Sequence, residues 1–324
     1  MAGAEREAAG RPPLVSIVLP VYNGGAFLAG AIDSLRRQTL TDWEIVAVDD
    51  GSTDGSGAVL AEAARNEPRL TVLTHAANRG IGAAYNSGIR AARGRWLAFA
   101  EQDDRSLPER LARQVAAAEA HGIPIVSARV GLIDADGVVG EAWPPDPGAP
   151  VVVTAAGRAP AETILVRHLP IANATLLFDR SALGADELRC DEAFRRCCQD
   201  ADLLMRLVRR HPSLLLNEVL VHQRRYAGQD SATGNPAAMV PDMRRLLARH
   251  RPVLFATAPG PAALGTWLKA WSTQYHFEAV LHRGSPRGWG LMALSALLWP
   301  GNPRLHGTLG RRLGGSQGAP RRQT

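Results

Sequence analysis

In the first third of the chain, apolar residues come in short unbroken runs with helical patterns between them. The first run is Leu14-Val15-Ser16-Ile17-Val18-Leu19-Pro20. A stretch so rich in β-branched and aliphatic residues predicts a strand covered on both faces, as in a parallel sheet. It ends at Val21-Tyr22-Asn23-Gly24-Gly25, where two glycines allow a tight turn into a helix with Leu28, Ile32 and Leu35 on one side. Glu44 to Val48 repeats the pattern, ends in Asp49-Asp50-Gly51-Ser52-Thr53-Asp54-Gly55-Ser56, and is followed by a helix to about Arg65. Leu70 to Thr74 gives a third strand, Asn78-Arg79-Gly80-Ile81-Gly82 a loop, and Ala83 to Ala92 a third helix. The fourth run, Trp96-Leu97-Ala98-Phe99-Ala100, stops abruptly on Glu101-Gln102-Asp103-Asp104.

One helix between successive strands implies right-handed crossovers and a parallel sheet, whose ligands bind beyond the carboxyl ends of the strands. Every polar cluster named so far lies at such an end, so all of them converge on one rim. The predicted class is α/β, a Rossmann-like, mostly parallel sheet with flanking helices. Further on, Leu111 to Ala120 reads as a helix, Ile123 to Val126 and Ala174 to Phe178 as strands, and the Gly- and Pro-rich Gly137 to Pro150 as a long connection with Trp143 as a packed anchor. Asp179-Arg180-Ser181 has the composition of a helix entrance. Gln199-Asp200-Ala201-Asp202 precedes the helical Leu203 to Val208, and two acids there have an ordinary use in capping and in answering the helix dipole.

Residues 1–13, polar and Ala/Gly-rich, read as a disordered leader; 14–235 form the α/β domain, and 236–324 a helical extension whose basic tail is disordered from about 314. In that extension Trp289 to Trp299 is apolar, bounded by tryptophans and flanked by arginines. It is shorter than the ~20 residues a membrane span requires. An interfacial helix is one expectation, with peripheral contact at the inner face of a membrane. A helix packed on the α/β domain or on a partner is the other.

Composition changes this picture little. The charge of +6 is carried almost wholly by arginine, Lys269 being the one lysine. Such an excess suits polyphosphate ligands or an anionic surface, and no basic block interleaved with aromatics marks a nucleic-acid groove. Three cysteines, Cys190, Cys197 and Cys198, point to a reduced, cytoplasmic setting.

The chemistry lies in the acids after the fourth strand. Clustered carboxylates repel one another and are costly to desolvate, so they either face water or hold a hard divalent cation such as Mg²⁺ or Mn²⁺. The plainer alternative is a solvated turn with Asp104 or Ser106 capping the next helix.

Taken in order, Val15 to Asn23, Glu44 to Ser56, Asn78-Arg79-Gly80 with Asn86 and Gly88, and the acidic strand end resemble the motifs of glycosyltransferase family 2. The resemblance implies a GT-A fold, a nucleotide-sugar donor, a glycan or lipid-linked glycan acceptor, a divalent cation, and displacement with inversion. By position, Pro20 and Tyr22 would border the nucleobase, Asn23 would belong to the nucleotide-sugar site, and Asp50 would accept from base or ribose. Asn78 and Gly80 would line the nucleotide, with Gln102 and Arg224 beside it. Asp103 falls on the metal-binding acid of the family's Asp-x-Asp, and Glu101 stands where the first Asp would be. Asp200 falls on the general base, with Gln199 replacing an acid before it. Tyr226, followed by Ser231, stands where some members carry a metal-binding His, and Tyr85 where many carry Arg.

A catalytically impaired nucleotide-sugar-binding relative is the nearest alternative. A nicotinamide-dependent oxidoreductase is the more distant one, because the Gly-x-Gly-x-x-Gly expected after the first strand is missing.

Overall fold

The computed structural model describes residues 11–167, 171–226, 236–257 and 260–305, so Ser231, the leader before residue 11 and the tail beyond 305 lie outside the described residues. The chain divides into two compact units, Met1–Ile164 with His168–Asn235, and Leu165–Arg167 with Pro236–Thr324.

The first unit opens with β1 (Val15–Val21), α1 (Leu28–Arg36), β2 (Trp43–Asp49), α2 (Ser56–Asn66), β3 (Leu70–Thr74), α3 (Ile81–Ala91) and β4 (Trp96–Phe99). These fall within a residue or two of the runs predicted from hydrophobic pattern. Then come β5 (Arg105–Ser106), α4 (Arg110–His121), β6 (Ile125–Ile133), β7 (Val139–Trp143), β8 (Val151–Thr154), α5 (Arg158–Arg167), β9 (Leu177–Asp179), α6 (Gln199–Leu207) and β10 (Ser213–Arg224). One sheet runs β3-β2-β1-β4-β9-β6-β10-β5, with β7 on β6 and β8 on β10.

From β3 to β4 all pairings are parallel. Beyond them the sheet is mixed: β9 is antiparallel to both β4 and β6, whereas β10 is parallel to β6. Residues 137–150, expected as a plain connection, contain β7. The expected strand at Ala174 begins as a single 3₁₀ turn, Asn173–Thr175, before β9. Asp179 opens no helix; its carboxylate accepts from the Ser181 N–H and hydroxyl and from Arg95. Nor do Asp104 and Ser106 cap α4, whose N-cap is Glu109.

Val15, Ile17, Leu19, Ile45, Ala47, Trp96 and Ala98 form the core with Leu28, Ile32 and Leu35 of α1, as their spacing predicted. On the other face α3 lies so close that a Cβ at Gly88 would stand 2.4 Å from Val18 Cγ1. Burial on both faces is what holds β1, β2 and β4 in place, and it leaves only their carboxyl ends to carry chemistry.

The second unit contains α7 (Pro236–Thr257), α8 (Pro261–Leu281) and α9 (Pro286–Leu298). Among the described residues no helix is long and apolar enough to cross a membrane.

Candidate active site

The rim is assembled from strand ends that bind one another. Pro20 is buried in β1 beside Val48 of β2. A proline is tolerated in so central a strand because β4 pairs only as far as Val18, whose carbonyl accepts from Ala100, so no ladder bond is lost. Tyr22 is 41% exposed, and Gln102 holds its main chain with two bonds, Tyr22 N–H to Oε1 at 2.8 Å and Nε2 to Tyr22 O at 3.1 Å. Asn23, at φ 49°, accepts from Thr53 N–H and donates its own N–H to Ser52 Oγ. The loops after β1, β2 and β4 are thereby tied together.

Asp50 is buried and its charge is answered from within the protein. It accepts from Arg79 N–H at 2.9 Å, from Gly80 N–H at 2.8 Å, and faces His75 Nδ1 at 2.6 Å. The effect is to fix the Asn78–Gly80 turn ahead of α3. Gly80 has φ 96°, and a Cβ there would lie 3.0 Å from Arg195 Cα, which is why the turn needs glycine. Asn78 stays exposed at the rim, its carbonyl accepting from Arg195.

Four acids beyond β4 and at α6 are treated differently. Glu101 Oε1 accepts from Tyr85 Oη at 3.1 Å and from Asn173 Nδ2. Burial pushes its carboxyl up from 4.5 to about 7, and the charges of Asp103 and Asp200 add to the rise. Asp104 is held well above its ordinary value by burial and by the charges of Asp103 and Glu101. One of its oxygens accepts from Arg224 N–H, while Oδ2 is buried without a partner. Asp200, in the first turn of α6, is raised by burial although its Oδ1 accepts from Ala201 N–H at 2.8 Å. Glu101 feels the charges of both Asp103 and Asp200, so the end of β4 and the first turn of α6 face the same carboxyl.

Asp103 also accepts from Tyr226, whose hydroxyl is driven to about 12 by burial and by that carboxylate. The Tyr226 ring packs on Phe27, 4.8 Å between centroids. Arg224, expected beside the nucleotide, is 2% exposed and turned inward. It donates to the carbonyls of Asp103, Asp134 and Ala135 and covers the Phe27 ring at 4.4 Å. It braces the acidic loop. Beneath that loop the fully buried Arg110 donates to Phe99 O at 2.7 Å and Ser106 Oγ at 3.0 Å, and burial lowers its guanidinium to about 10.

Three groups escaped sequence reasoning: Asn173, Phe27 and Arg110. Asn173 reaches Glu101 from 72 residues away, and no local pattern marks it. Asp202, expected as a cap or as a group behind Asp200, pairs with Arg206 one turn on, at 3.0 Å.

Among the described residues no group of three or more His, Cys, Asp or Glu side chains forms a cage for a metal ion. Mg²⁺ and Mn²⁺ do not require one, since one or two carboxylates completed by substrate phosphates suffice. The residues present fit such a cation: hard oxygen donors, crowded negative charge and an unsatisfied buried carboxylate oxygen at Asp104.

A parallel βαβ half with an acidic strand end, continued by a mixed half-sheet, defines the class of GT-A glycosyltransferase folds. Residues 16–143 match the model of glycosyl transferase family 2. It is 43% identical over 114 residues to the uncharacterized glycosyltransferase EpsJ of Bacillus subtilis, covering 35% of this chain and 33% of that protein. It is 38% identical over 125 residues to the succinoglycan biosynthesis protein ExoO of Rhizobium meliloti, covering 39% of this chain and 35% of that one. The chain thus spans about a third of the length of these curated relatives.

Among solved structures it resembles S. aureus TarS 1-349 in complex with UDP-GlcNAc, with a TM-score of 0.59 at 19% identity over 93% of this chain and 92% of that one. It also resembles the mannosyltransferase PcManGT of Pyrobaculum calidifontis, in complex with GDP-Man and Mn²⁺, with a TM-score of 0.52 at 16% identity over 93% and 84% of the two chains.

Proposed function

We propose that this protein transfers a sugar from a nucleotide-diphosphate donor to a hydroxyl of a glycan or lipid-linked glycan, with inversion at the anomeric carbon, in polysaccharide synthesis. The observation that carries the proposal is that Glu101, at the end of β4, lies within reach of the charges of both Asp103 and Asp200. It joins the strand end suited to a diphosphate and its cation to a carboxylate suited to a general base.

Asp200 takes the proton from the acceptor hydroxyl. A carboxylate whose proton affinity is raised by burial is better matched to that task than a solvated one. The bond from Ala201 N–H fixes one of its oxygens and therefore its orientation. Asp103, with Glu101, would hold the divalent cation, which when bound neutralises charge gathering on the departing diphosphate. Tyr22 and Asn23 border the nucleobase, and the exposed Asn78 lines the nucleotide. Asp50, Gln102 and Arg224 act one step back, by fixing the loops that carry those groups. Three unbridged thiols suit a reducing compartment.

The test is a thermal-shift panel of UDP-, GDP- and dTDP-sugars with and without Mn²⁺, followed by donor turnover. A ligand at 100 times its dissociation constant adds about 2.7 kcal/mol of stability. One nucleotide class should stabilise the chain only with metal and be hydrolysed or transferred. Metal-independent binding would remove the role given to Asp103. Binding without turnover, across varied acceptors, would make the chain a binding relative rather than an enzyme.

A further inference from the structure

We infer that the second unit seats α9 on an anionic lipid surface, a property that stands independently of the transfer reaction. α9 leaves three large apolar side chains in water. Its two buried positions are the small Gly288 and Ser295, whereas Trp289 is 55%, Leu294 43% and Leu297 76% exposed. A helix in water normally buries its apolar stripe and wets its polar one.

Polar bonds tie α9 to α8 at its small positions. Ser272 Oγ donates to Ser295 O at 2.7 Å, Ser295 Oγ to Ser272 O at 2.8 Å, and Asn302 Nδ2 to Ser272 Oγ at 3.0 Å. Small and hydroxyl-bearing contacts with large apolar groups outside are the packing used where the surroundings are themselves apolar.

Charge selects which apolar surroundings. Between residues 259 and 324 the only acidic side chain is Glu278, against Lys269 and seven arginines. Glu278 is buried and tied to Arg244 at 2.6 Å, so it offsets little of that excess at the surface. Exposed Arg283 and Arg287 stand at the start of α9, and Lys269 lies over the Trp299 ring at its end, 5.8 Å from the centroid. Thirteen residues are too few to span a bilayer, so the helix lies in the plane of the interface, tryptophans at headgroup depth and cations against anionic lipid.

The experiment is flotation of the full chain with vesicles of phosphatidylcholine, with and without phosphatidylglycerol, at low and high salt. Wild type should float with the phosphatidylglycerol vesicles, less so at high salt, and little with phosphatidylcholine alone. Leu294→Glu/Leu297→Glu should weaken the association by about tenfold or more while leaving far-ultraviolet circular dichroism unchanged. Trp289→Phe, a milder variant, should remove a blue shift of indole emission seen on adding vesicles.

Failure of wild type to float, or equal flotation with neutral vesicles, overturns the proposal. Retained binding by the double variant would overturn it in favour of the basic tail. A concentration-dependent oligomer that Leu297→Glu dissolves, with no vesicle binding, would overturn it in favour of a second copy of the chain.

Discussion

Two sets of acids lie on the same rim and are handled in opposite ways. After β2, Asp50 and Asp54 are met by main-chain N–H groups: those of Arg79 and Gly80 for the first, of Gly25 and Ser56 for the second. After β4 and at α6, Asp104 is buried and Glu101 and Asp200 are half-buried, and each is held above its ordinary pKa, chiefly by desolvation. A carboxylate with its donors in place has finished its work when the chain folds. One left short of compensation is stabilised only when something positive arrives or when it takes up a proton, and those are the two tasks a transferase sets its acids. In the proposed reading the difference separates acids that fix loops from acids that do chemistry.

The largest expected effect is at the acid assigned as base. Asp200→Asn keeps an acceptor for Ala201 N–H and loses the proton site, so turnover should fall by roughly 10²–10⁴ while donor affinity changes little. Single-turnover transfer and isothermal titration with the donor would measure the two separately. Full transfer activity in the variant would move Asp200 into the scaffold group.

Asp103→Ala comes next. Loss of a metal-ligating carboxylate should weaken Mn²⁺-dependent donor binding by at least about tenfold, and the loss should shrink when titration is done without metal. An equal loss with and without Mn²⁺ would mean that Asp103 acts by anchoring Tyr226 instead.

How much of this was legible beforehand depended on the distance over which residues cooperate. β1 to β4 could be read off because a strand buried on both faces writes an unbroken apolar run, and Leu70–Thr74 was located to the residue. The rim acids could be read because they sit next to those runs. β10 escaped notice because its register slips between Leu216 and Val219, and polar Asn217 and Glu218 break the pattern there. The three-residue β9 enters the sheet only by pairing with β4 and β6, far away in sequence. Composition likewise could not tell Asp50 from Asp103; that needed the donors around each, and it is the ground for proposing that Asp50 and Arg224 fix the nucleotide's loops rather than touch it.

Asp50→Asn tests that reassignment. Replacing a buried carboxylate that accepts from two N–H groups and faces His75 should cost about 2 kcal/mol, which for a domain of this size lowers the melting temperature by roughly 4–8 °C. A thermal melt of the unliganded chain would show it. An unchanged melt with lost donor binding would restore Asp50 to direct contact with the nucleotide.

The last effect is the most discriminating, because it concerns a proton. Folding makes the Glu101 carboxyl harder to ionise, at about 7 against 4.5. Between those values the folded chain binds more proton than the unfolded one. The stability this confers is complete below the lower value and is lost as pH rises to the upper one. Asp54 and Asp179, held below their ordinary values by their hydrogen bonds, have the opposite sign and matter only on the acid side of that window. Urea unfolding of the metal-free wild type should therefore show stability falling between about pH 5 and 7, by on the order of 2 kcal/mol. Glu101→Gln, which still offers an oxygen to Tyr85 and Asn173, should flatten that slope and outlast wild type above neutral pH. If the slope survives the substitution, the proton sits on Asp104 or Asp200, and Glu101 belongs with the acids whose work ends at folding.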